Sequence, residues 1–180
     1  TFDPDGGLLP QAAVCLKRRS PQTLDHKAPM ELFCFASKNL TNIWAGIGAR
    51  MWAVAETSPT DMKARITKSK RMKVGSLGIL YCNETHSFTT PFVVVSEPDP
   101  NMIVSNIWSE NWRLPFSIHP LGNPSRQVDA TTAKQKWAVL ANVGAGGVSA
   151  AMNITGTTVF VPVEVPADDW ALILSDLHVV

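Results

Sequence analysis

Cysteine is scarce in this chain, tyrosine is nearly absent and charge is thin. The three cysteines, Cys15, Cys34 and Cys82, are odd in number and widely spaced. That excludes a disulfide framework and a paired Cys-x-x-Cys zinc site, and each reads as a small buried hydrophobe. Charged residues make up 17% of the 180, and the formal charge is +1. A chain so weakly charged and 45% hydrophobic is not a disordered one. Nor does it carry a global basic field, so any nucleic-acid contact needs a local patch and a shaped pocket. No run of 18 apolar residues occurs, and no basic leader precedes an apolar stretch. The expectation is an intracellular chain, cytoplasmic or, in a eukaryote, nuclear, with no membrane partner. Without a leader, the Asn39, Asn83 and Asn153 sequons carry no weight.

Catalytic signatures are missing as well. There is no GxxxxGK[ST], no GxSxG elbow and no HExxH. His26, His86, His119 and His178 are scattered singly, and the carboxylates are dispersed, whereas a nuclease gathers them around a metal. No cofactor, metal site or catalytic residue is expected. The enzymatic alternative is a nucleic-acid-processing activity built on His86 with Glu84 or Asp99. A third reading is a structural or protein-interaction domain with every tryptophan buried.

What is present reads mainly as strands. Glu31–Ala36, Leu77–Cys82, Pro91–Val95 and Phe116–His119 are apolar runs bounded by turn residues. Leu77–Cys82 and Pro91–Val95 are expected to pair antiparallel across a polar turn. Met51–Ala55 fits a strand or a helix start. Trp108 and Trp112 have the spacing of a shared helical face, although Pro115 stands too close for a long helix. Thr131–Leu140 is predicted as a helix with Trp137 inward, Thr157–Val163 as an edge strand and Pro166–Leu177 as a helix opening on acids. Residues 1–30 read as an irregular lead-in with one short helix over Leu9–Leu16, and 141–180 as a C-terminal extension of a single domain spanning 1–180. The fold class is α+β: a strongly curved, mixed or antiparallel sheet, or a small barrel, with peripheral helices.

Two features are unusual. There are 6 tryptophans against 1 tyrosine, and an indole that is not core is a stacking surface for a flat base. Trp112 and Trp137 read as core. Residues 62–73 carry six basic side chains and no acid. From this run Lys68, Lys70 and Arg71, together with Arg50 and Arg113 beside the tryptophan segments, are candidate phosphate contacts.

The segments Asn39-Leu-Thr-Asn42-Ile43-Trp44 and Ile107-Trp108-Ser-Glu-Asn-Trp112-Arg113-Leu-Pro-Phe116 carry a resemblance. With the strand Phe33–Ser37 before the first and the Lys73-Val-Gly75 turn between them, they resemble the recognition segments of the YTH and EVE families of the PUA-like fold, over roughly residues 31–125. The resemblance implies a reader that flips a modified, methylated base of DNA or RNA into an aromatic cage. It puts Trp44 and Trp108 as facing cage walls about 7 Å apart, twice the stacking rise, and Ser37, Asn39 and Asn42 at the base edge. Prokaryotic domains of this kind serve as specificity parts of modification-dependent restriction systems, which implies a nuclease domain or subunit as partner. The family's third cage residue has no obvious match, and the tail from Gly144 to Val180 matches nothing in it.

Overall fold

The computed structural model describes residues 29–144, 147–154 and 156–179; the short helix expected over Leu9–Leu16, and nearly all of the expected lead-in, lie outside them. The first strand, β1 (Met30–Ser37), has four consecutive buried residues. Phe33 and Phe35 enter one core and Leu32 and Cys34 another. An unbroken apolar run of this kind marks a strand covered on both faces. β1 pairs in parallel with β3 (Leu77–Cys82), in register from Leu32 opposite Leu77 to Ser37 opposite Cys82. A parallel neighbour needs a crossover, and residues 38–76 supply it: α1 (Leu40–Gly48), β2 (Met51–Ala55) and α2 (Pro59–Ser69).

The expected hairpin is present. β3 pairs antiparallel with β4 (Ser87–Val94), with a register shift between Ile79 and Leu80. β4 then pairs with β6 (Trp112–Pro120), β6 with β2, and the two-residue β5 (Ile103–Val104) sits on β6. β7 (Gln127–Asp129) pairs with β4 and leads into α3 (Ala130–Lys136) and a 3-10 turn at Ala138–Leu140. α4 (Gly147–Ala151), a 3-10 turn at Gly156–Thr158, β8 (Val163–Val165) and α5 (Ala167–Leu177) complete the chain. β8 pairs antiparallel with β1, so residues 141–180 contribute a strand to the main sheet.

One expectation is overturned. The sheet is neither a barrel nor strongly curled: its order, β2-β6-β4-β3-β1-β8, is an open path with β2 and β8 at its ends. The reason lies in the residues. This sheet buries aromatic and aliphatic side chains on both faces, each beneath its own layer of helices and turns. Its end strands, of five and three residues, pair with β6 and β1 respectively and not with each other.

Several local differences have equally specific causes. Asn39 caps a helix where a polar turn was expected; its Oδ1 accepts the Asn42 N–H at 2.9 Å. Met51–Ala55 resolves as a strand because it pairs with β6. Trp108 and Trp112 do not share a helix: the chain bends through 106–110, and β6 begins at Trp112. The strand expected from Thr157 begins only at Val163. Phe160, at φ 68°, breaks the extended backbone and swings its ring within 5.2 Å of Phe35.

Candidate functional site

The core on one sheet face holds Trp52, Trp108 and Trp112 in one cluster. Trp52 comes from β2 and Trp112 from the first position of β6; the antiparallel ladder sets them opposite Phe116 and Ala55, and their rings meet edge-on at 5.9 Å. Trp108 comes from the bent segment before β6. It stacks on Trp112 at 4.5 Å and 25°, and meets the edge of Trp52 at 5.8 Å. Its indole N–H donates to the Asn42 carbonyl at 2.9 Å, tying the loop to α1. Gly46 on α1 lets Trp52 in: a Cβ there would lie 2.8 Å from the Trp52 ring.

Beside this cluster lies a cleft of about 250 Å³. Trp52 and Trp112 line it, with Asn42 from α1, Lys38 before it, Glu110 at an exposed position and Arg65 from α2. Its size is just below the roughly 300–1,000 Å³ of small-molecule sites, suited to one flat ring system and not to a run of nucleotides. The Trp112 Nε1–H is buried and has no hydrogen-bond partner, and the same holds for the Arg65 Nε–H. Arg65 is only 9% exposed. Its Nη1 donates to the Ala55 carbonyl at 2.9 Å and its Nη2 to that of Gly156 at 3.4 Å. Burial pushes its pKa below the usual guanidinium value, and the Asp61 carboxylate acts in the opposite direction. The cleft is therefore bordered by the nearly enclosed rings of Trp52 and Trp112 and by a buried guanidinium.

The residues singled out from sequence fall in several places. Asn42 lines the cleft. Ser37 is buried and donates its hydroxyl to the Asn39 carbonyl, and Asn39 caps α1; these two shape the helix that presents Asn42. Trp108 is 5% exposed, with Trp52 and Trp112 as its ring neighbours, whereas Trp44 is 49% exposed on α1. A base needs about 7 Å between flanking planes, twice the stacking rise, so the Trp108–Trp112 pair is closed to one and Trp108 acts as backing for Trp112. Arg50 sits at φ 50° in the α1–β2 turn, and its carbonyl accepts from Ile118. Arg113 pairs with Glu56 at 3.3 Å. Lys70 and Arg71 are exposed just past α2, and Lys68 is half-buried on it. The basic run is thus divided, with Arg65 turned inward and Lys73 paired with Glu97 at 3.1 Å.

Sequence reasoning did not pick out Trp52, Arg65, Lys38 or Glu110 as cleft-lining residues; its reading of Trp112 as core holds, although that ring also borders the cleft. Alternation offered one signal: Trp52 follows a glycine-rich helix and opens a strand. The alternative centred on His86 finds little support. His86 is exposed in the β3–β4 turn, and the Glu84 carboxylate accepts the Leu40 N–H at the start of α1. Among the described residues no group of three or more His, Cys, Asp or Glu gathers to hold a metal. Cys34 is buried, and burial pushes its thiol pKa upward, leaving it inert.

No family model matches the sequence, and no curated protein matches it. The fold, however, is similar to solved YTH domains. The YTH domain of Zygosaccharomyces rouxii MRB1 protein, in complex with N6-methyladenosine RNA, superposes with a TM-score of 0.55 at 16% identity, covering 84% of this chain and 88% of that one. The Pho92 YTH domain in complex with m6A gives 0.52 at 14% identity over 86% and 90%. The Mmi1 YTH domain in complex with RNA gives 0.50 at 14% identity over 82% and 77%. At these identities the likeness is one of architecture: the chain has the fold seen in YTH domains.

Proposed function

We propose that this protein is a nucleic-acid-binding module that takes a single modified, methylated base into the cleft between β2, β6 and α1. The observation that carries this reading is a base-sized cleft bordered by Trp52 and Trp112 in a fold shared with domains solved in complex with N6-methyladenosine RNA or with m6A. Indole faces stack on any base and shelter an added methyl group, worth about 1–3 kcal/mol per base. Asn42 supplies a polar group at the edge of the cleft. Trp108 backs the wall, and Ser37 and Asn39 hold the helix that presents Asn42. The exposed Trp44 is a stacking platform for a neighbouring base. Arg50, Lys68, Lys70, Arg71 and Arg113 are the proposed phosphate contacts, which position the strand without reading its sequence.

RNA is the first ligand to test, because the similar solved domains carry it. A specificity role in a modification-dependent restriction system, with a nuclease as partner, is the outcome in which modified DNA is bound instead. The experiment is a titration of matched nine-nucleotide RNAs and DNAs, plain and N6-methylated at one adenine, at fixed salt. Preference for a methylated strand that disappears in W112A, with the fold intact by circular dichroism, supports the reading. Equal affinity for plain and methylated strands of both kinds overturns it.

A further inference from the structure

A run of basic residues on a helix is expected to face phosphates or solvent. Arg65 does neither: it is among the few charged side chains that the described structure buries, and it lines the cleft. Asp169, another buried charge, is satisfied by two amides, those of Ala138 and Val139. Among the described residues no carboxylate pairs with Arg65. Two carbonyls hold its Nη atoms, and its Nε–H is left without a partner. An unpaired buried cation is costly, and an apolar side chain of similar volume would fill the same space without that cost. Strapping α2 to β2 and to the Gly156 turn explains the Nη contacts. It does not explain the idle Nε–H or the position in the cleft wall.

We propose that Arg65 sets the charge selectivity of the cleft: its guanidinium admits a neutral base that turns a hydrogen-bond acceptor toward it and refuses a base with a fixed positive charge. This rests on the reading of the cleft as a base site. Arginine has five N–H donors and no acceptor, so whatever meets it must accept. The other charged groups of the lining do not reverse the sign. Lys38 and Glu110 are both exposed, so solvent screens their opposite charges alike and Arg65 is the buried charge of the lining. Asp61, one turn earlier on α2, takes the Ser58 hydroxyl at 2.9 Å.

The test uses the full chain and nine-nucleotide RNAs that differ at one adenine: plain, N6-methylated (neutral) or N1-methylated (a cation at neutral pH). The wild type should prefer the neutral methylated base to the cation. In R65Q that ratio should fall about tenfold or more, mainly by tighter binding of the cation, and R65K should retain it. A folded R65Q with an unchanged ratio overturns the proposal and leaves Arg65 as a strap, while the preference for methylated over plain adenine still stands. Should R65Q fail to fold, wild-type binding of N6-methylated 1-, 3- and 7-deaza adenines decides. One of the three should lose about tenfold in affinity, and no loss from any of them overturns the proposal. Equal binding of plain, neutral and cationic bases by the wild type overturns both this inference and the base-site reading.

Discussion

The two faces of the sheet bury tryptophan in two different ways. On one, Trp137 is fully enclosed, its ring 5.0 Å from Phe88, beneath α3 and α5. On the other, Trp52, Trp108 and Trp112 are nearly as buried but share a cluster that borders a cleft. Trp112 and Trp137 each have an indole N–H without a partner. On the closed face that orphan is a plain cost of packing, roughly 1–3 kcal/mol for a buried donor. On the open face the same defect, equally buried, belongs to a residue that borders the cleft. Burial alone therefore does not distinguish the two groups of tryptophans; on the proposed reading the neighbouring empty volume does.

The comparison can be broken most forcefully at Trp137. Trp137→Ala should cost about 3–5 kcal/mol of stability through the cavity it leaves, read by urea unfolding, with base discrimination unchanged in the folded fraction. Lost discrimination at full stability would erase the distinction between the faces. Gly78→Ala strikes the packing under the open face, because a Cβ there would lie 2.1 Å from Cζ of Phe92. About 1–3 kcal/mol of destabilisation is expected, and an unaltered melting midpoint would refute the tight fit. Trp112→Phe should reverse the Trp137 pattern, costing less stability than that cavity but about 1–3 kcal/mol of binding to a methylated strand.

Smaller effects sharpen the contrast at its margins. Reversing Lys68, Lys70 and Arg71 together should weaken plain and methylated RNA about equally and lower the salt slope by roughly 0.7 per lost contact. An unchanged slope would make the outer face of α2 ordinary surface. On the closed side, the Asp129 carboxylate caps α3 by accepting from Thr131 and Thr132. These bonds, the Thr132 hydroxyl's first, hold its pKa below the usual carboxylate value. Its contribution is therefore complete above the unfolded-state pKa of about 3.9 and is lost as pH falls through the lower folded value. Asp129→Ala should flatten the acid limb of stability slightly, and an identical limb in both proteins would count against the cap.

Much of the sheet was legible because the physics is local. The apolar runs of β1, β3 and β4 and the polar turn between the last two need no distant information. The cap signal at Asn39 was also there to be read, three residues ahead of the amide it accepts. The openness of the sheet was harder, although Leu32-Phe33-Cys34-Phe35 is itself the mark of a strand covered twice. The cleft was mostly hidden. Trp52 meets Trp112 only through the β2–β6 ladder, and Arg65 meets two carbonyls, one from beyond residue 150. The inward turn of Arg65 did leave a trace, since Met62, Arg65, Ile66 and Ser69 share one face of α2, whereas the stacking of Trp108 on Trp112 across a bent loop leaves none.

The pairing of β8 with β1 has a consequence for how this chain becomes a protein. β1 is the first strand described and β8 the last, and Leu32 finds Val163 across nearly the whole intervening sequence. During synthesis β1 can meet β3 early, but its outer edge waits for almost everything else to emerge. Contacts so distant in sequence slow folding, and an unpaired strand edge is a template for pairing with other chains. Truncation upstream of β8 should therefore yield aggregates formed through the outer edge of β1, the region most exposed while the nascent chain is still short.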